Sequence, residues 1–132
     1  MKISYFLLSL LIIGCADSKT SSCRQLFNFT STLQETITNL DDNNLQAIAD
    51  TANTFELTSQ AIANYNFEDA NLGNNAIQLS QIYQAYADNT RDFVDAYQIK
   101  NQEKGILSQQ NLTDLFIQQR QLVEQINNYC NQ

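Results

Sequence analysis

The chain has 132 residues, a formal net charge of −7, and no histidine, proline or tryptophan. An acidic balance argues against nucleic-acid binding, which needs a basic patch, and against electrostatic adhesion to anionic lipid. Without histidine the usual general base and the commonest metal ligand are both missing, so no catalytic residue, metal site or cofactor is expected and the protein reads as a non-enzyme.

The first 14 residues read as a leader. Lys2 is a short positive n-region, and Phe6, Leu7, Leu8, Leu10, Leu11, Ile12 and Ile13 form an apolar run. That run is shorter than the roughly 20 residues needed to span a bilayer and matches a signal-peptide h-region. It ends at Ile12-Ile13-Gly14-Cys15, which resembles the lipobox of bacterial lipoprotein precursors: an aliphatic residue, a tolerant position, a small residue, then cysteine. The resemblance implies that the Cys15 thiol receives a diacylglycerol and that cleavage falls before Cys15. The mature chain would then be extracytoplasmic, held to a bacterial membrane by lipid. The alternative is an ordinary secretory signal cleaved after Ala16, since Gly14-Cys15-Ala16 also has small residues at suitable spacing. Two N-glycosylation matches, at Asn28 and Asn111, matter only in a eukaryotic source.

Residues 15–22 then form a lipidated N-terminus and polar tether, and residues 23–132 one domain. The mature length suffices for one core and not for two. The three cysteines are Cys15, Cys23 and Cys130. The lipobox accounts for the odd one, which leaves Cys23 and Cys130 free to pair in an oxidising compartment. Two buried, reduced cysteines are the alternative.

Four helices are predicted from apolar spacing. The first covers 22–40, capped by Ser21 or Ser22, with a seam of Cys23, Leu26, Thr30, Leu33, Ile37 and Leu40 widened by Phe27. Asp41-Asp42-Asn43-Asn44 ends it. This run lacks the glycine of a calcium loop, because Gln46 stands there, so it reads as a turn in which Asp42 or Asn43 caps helix two. The second helix covers 44–65, with Leu45, Ile48, Ala52, Phe55, Ser59 and Ile62 inward. The third, 69–102, carries Leu72, Ala76, Leu79, Tyr83, Tyr86, Thr90, Phe93 and Tyr97 on one stripe. Gly105 is placed as a helix stop, and the fourth helix covers 108–129, with Leu112, Leu115, Phe116, Leu122, Val123, Ile126 and Tyr129 on its face.

The expected fold is therefore all-α: an antiparallel up-down-up-down four-helix bundle after a cleaved signal peptide. That topology brings Cys23 and Cys130 to one end. Asp88, Asp92 and Asp95 share one side of helix three and read as a solvated face relieved by Arg91. Tyr83, Tyr86, Phe93 and Tyr97 read as core, with an aromatic ligand groove as the other use of such residues.

Helix three would be about 50 Å long against roughly 30 Å for its neighbours. Either its far end projects, exposing Phe93, Tyr97 and Ile99 together with Ile106 and Leu107 as partner contacts, or helix four begins earlier and covers them. The leading functional expectation is an accessory or scaffold protein that binds another envelope protein. The alternatives are a carrier or sensor with an apolar ligand between its helices, and a secreted effector or inhibitor without lipid.

Overall fold

The computed structural model describes residues 18–132, and four α-helices make up most of them: α1 (Ser18–Thr38), α2 (Leu45–Asn64), α3 (Ala70–Gln98) and α4 (Gln102–Cys130). They form a helical bundle around one core. The leader and Cys15 lie outside the described residues. Among the described residues, no helix is long and apolar enough to cross a membrane.

The core is drawn from the predicted stripes. Leu26 and Leu33 come from α1, Phe55 and Ile62 from α2, Leu72, Leu79, Tyr83 and Tyr86 from α3, and Leu115, Leu122 and Ile126 from α4. Burying side chains of this size contributes about 1.5–3 kcal/mol each. Helix α3 is buried on more than one side. Beside its large residues it buries Ala76, Ser80, Ala87 and Ala96, small enough for neighbouring helices to approach closely. At one such approach the Ser59 hydroxyl of α2 donates to the Ser80 carbonyl of α3 at 2.6 Å. Phe55 stacks on Tyr86 with ring centroids 4.8 Å apart.

Several boundaries differ from the sequence expectation. Helix α1 begins at Ser18, so residues 18–22 are helical and not tether, and Ser22 is buried inside the helix instead of capping it. Asn44 caps α2, where Asp42 or Asn43 was expected: its side chain accepts from the backbone N–H of Gln46 and Ala47 at 3.0 and 3.1 Å.

The largest difference is at the α3–α4 connection. Helix α3 ends at Gln98 and α4 starts at Gln102, six residues before the predicted start. Lys100 takes the left-handed conformation, with φ 56°. Asn101 then caps α4, accepting from the Lys104 N–H at 3.0 Å. Gly105 is therefore inside α4, and the expected glycine stop is made by a lysine. Helices α3 and α4 have 29 residues each, so the expected excess length of the third helix over the fourth does not exist.

Cys23 and Cys130 form a disulfide, with Cα atoms 6.0 Å apart. The start of α3 is tied to the same place. Asp69, its N-cap, accepts from the Leu72 N–H at 2.9 Å and from the Tyr129 hydroxyl at 2.8 Å. The Asp69 N–H reaches the Ser22 hydroxyl at 3.5 Å. Lys19 stands over the Tyr129 ring, 4.7 Å from its centroid. The beginning of α1, the beginning of α3 and the end of α4 are thus gathered at one end of the bundle.

Candidate functional site

Residues 99–101 form the α3–α4 turn, and apolar side chains stand in water on both sides of it. Tyr97 is 68 % exposed, Ile99 66 %, Ile106 47 % and Leu107 56 %. Phe93 is half-buried. Of the two expected outcomes, helix four does begin early, yet it does not cover these residues. The reason is rotational: α4 turns Ser108 inward, where it is buried and donates to the Lys104 carbonyl at 3.0 Å, and Ile106 and Leu107 consequently face out. On α3 the buried positions near the end are Val94 and Ala96, so the Phe93–Tyr97 stripe has rotated away from the core. Ala96 lies opposite Gly105, where a Cβ would stand at an ordinary contact distance of 3.8 Å from that of Ala96. Phe93, Tyr97 and Ile106 share the lining of a surface depression of about 590 Å³ at this tip.

Phe93 also lines a second concavity. This cleft of about 530 Å³ runs between α1 and α4, where Gln34, Ile37, Gln109, Leu112 and Phe116 form the two walls. Its floor is Ile48, Thr51 and Phe55 of α2 with Tyr86 and Thr90 of α3. It exists because the α1–α4 seam is open. The seam positions facing one another there include glutamines 34, 109 and 119, which do not close over each other as leucines would. A further groove of about 470 Å³, lined by Phe27, Thr30, Val123 and Ile126 among others, marks the same seam beside the disulfide.

The tyrosines expected in the core divide. Tyr83 and Tyr86 are buried, whereas Tyr97 is at the tip. Burial raises the phenol of Tyr83 well above the usual range and pushes Tyr86 up to about 12. Two of the three aspartates of α3 have different cationic partners. Asp88 lies 3.9 Å from Arg91, and Asp92 pairs with Lys104 at 3.3 Å. Arg91 is held chiefly by Glu56 of α2, at 2.6 Å. Its hydrogen bond and charge keep the Glu56 carboxyl below the usual range.

The aromatic groove expected from the sequence shares Tyr86 and Phe93 with the α1–α4 cleft, whereas Tyr83 and Tyr97 do not line it. Ile48, Leu112 and Phe116 were placed as ordinary seam. The available signal was the concentration of glutamine at seam positions of α1 and α4.

No protein family, curated protein or solved structure shows significant similarity to the chain.

Proposed function

We propose that the chain is a non-enzymatic accessory protein of a bacterial envelope, held to its membrane by lipid on Cys15, and that it binds another envelope protein through the α3–α4 tip. The observation that carries this reading is the exposure of Tyr97, Ile99, Ile106 and Leu107 around one turn. Four large apolar side chains about half exposed around one turn forgo roughly half of the about 1.5–3 kcal/mol that full burial gives each, and such groups mark interaction surfaces.

An antiparallel up-down-up-down course underlies the reading. It is supported by the meeting of Ser22, Asp69, Tyr129 and the disulfide at one end. On that course a 29-residue α3 holds the tip about 43 Å from the disulfide, at 1.5 Å per residue. An anchor at Cys15 would lie next to the disulfide end, so the tip would point away from the membrane towards its partner.

The experiment has two arms. In a bacterial host the full chain should label with palmitate and partition into detergent, and Cys15→Ala should lose both properties. Partner recovery is then measured after cross-linking and affinity capture from detergent-solubilised envelope. Ile106→Glu and Leu107→Glu, made separately, should each weaken recovery of the partner. Both sites are exposed, so stability should change by no more than about 0.5 kcal/mol. Equal recovery with both variants would remove the tip as the docking surface. Equal palmitate labelling of Cys15→Ala would remove the anchor and favour the secreted alternative.

A further inference from the structure

The cleft between α1 and α4 carries a second proposal, independent of the tip. Two hydroxyls on its floor stand out. Tyr86 is 9 % exposed and Thr90 is 7 % exposed. They lie four residues apart on α3 and line the same cleft. Among the described residues neither side chain makes a hydrogen bond, whereas Thr51 on the same floor donates to the Ala47 carbonyl at 2.9 Å. Yet no side-chain oxygen of the described residues is sealed from solvent without a partner. The two hydroxyls therefore open into the cleft itself. Being reachable from the cleft, both hydroxyls can bond to water or to a polar atom of a molecule that enters.

The rest of the lining restricts what that is. Ile37, Ile48, Phe55, Phe93, Leu112 and Phe116 supply apolar contact. The volume of about 530 Å³ lies within the usual 300–1,000 Å³ of small-molecule sites. No lysine or arginine lines the cleft, and its one carboxylate is Asp42 at the α1–α2 turn. A carboxylate or phosphate on the ligand would be buried without a counter-charge, which is strongly unfavourable. The stacking of Phe55 on Tyr86 holds the phenol ring in place.

We propose that this cleft binds an uncharged, largely hydrocarbon or aromatic small molecule bearing a carbonyl or hydroxyl oxygen, which accepts a hydrogen bond from Tyr86. Burial keeps that phenol protonated, and therefore a donor, at any physiological pH.

The probe is prodan, an uncharged naphthalene ketone whose emission reports both polarity and hydrogen bonding to its carbonyl. Titrated on the full chain, it should bind saturably with one site at the cleft. Gln34→Trp places an indole on the exposed α1 rim, away from the tip depression, and should weaken this binding at least tenfold. Tyr86→Phe removes only the donor. It should weaken binding about three- to tenfold, the range expected for one hydrogen bond, and shift the bound emission further to the blue. Tyr83→Phe, off the cleft, should stay within twofold of the parent. The anionic probe 1-anilinonaphthalene-8-sulfonate should bind at least tenfold more weakly than prodan. Prodan binding unchanged in Gln34→Trp, with parental circular dichroism and melting, would overturn the proposal. So would a Tyr86→Phe variant with parental affinity and emission, or the absence of saturable binding to the parent chain. Tip variants that lose the protein partner should keep prodan binding, so the two readings fail separately.

Discussion

Removing the disulfide tests how the open bundle is held together. Cys23 and Cys130 are 107 residues apart, so the bridge closes nearly the whole domain into one loop. In the chain-entropy description a loop of that length loses about 16 cal/mol/K in the unfolded state, or about 4.8 kcal/mol at 25 °C. An unfolding entropy of about 2.1 cal/mol/K per residue gives roughly 0.23 kcal/mol/K for a domain of this size. The double variant Cys23→Ser/Cys130→Ser should therefore melt on the order of 20 °C lower. The assay is thermal unfolding followed by far-ultraviolet circular dichroism, with and without dithiothreitol, alongside non-reducing peptide mapping. At low temperature helicity should persist, because the Asp69–Tyr129 hydrogen bond and the α2–α3–α4 core do not depend on the sulfurs. Hydrogen exchange should rise first in α1, whose seam with α4 is the open one. A fall in Tm below about 5 °C, or no effect of dithiothreitol on the parent chain, would refute the reasoning. It would show that the loop is already constrained without the bridge.

The α3–α4 turn makes a prediction of opposite sign. Gly105 is helical and an added Cβ meets only ordinary contact, so Gly105→Ala should stabilise by about 0.5–1 kcal/mol. Lys100→Gly should stabilise by up to about 1 kcal/mol by relieving the left-handed backbone; denaturant midpoints measure both, and destabilisation by either would exclude backbone strain at Lys100 or a helical Gly105. Asp69 predicts an acid limb. The Leu72 N–H and then the Tyr129 hydroxyl hold its carboxyl below its ordinary value of 3.8. Its stabilisation is thus full above about pH 4 and is lost as pH falls through the lower folded value. Asp69→Asn should flatten the fall in Tm between about pH 4 and 2, and Tyr129→Phe should flatten it less; parental slopes in both would exclude Asp69 as a source of the acid limb.

Much of this fold follows from residue spacing alone. The absence of proline, with apolar residues three and four apart, leaves each stripe only the helix as a way to bury itself. Leu26, Leu33, Phe55, Ile62, Leu72, Leu79, Leu122 and Ile126 accordingly lie where periodicity puts them. The Cys23–Cys130 pairing was expected once the lipobox resemblance set Cys15 aside. Local chemistry misled at the caps of α1 and α2 and most at the α3–α4 connection. Gly105 looks like a stop, but a helix starts wherever a side chain can satisfy its first N–H groups, and Asn101 does so once Lys100 adopts a positive φ. No local signal required a lysine to do that. Which members of an apolar stripe are covered was likewise outside the reach of the sequence. Phe27, Tyr97 and Phe116 continue their stripes and are exposed all the same. A stripe defines a direction on one helix, whereas burial depends on whether another helix stands opposite. Only the assembled bundle decides that, and along the α1–α4 seam the two helices stand too far apart to close it.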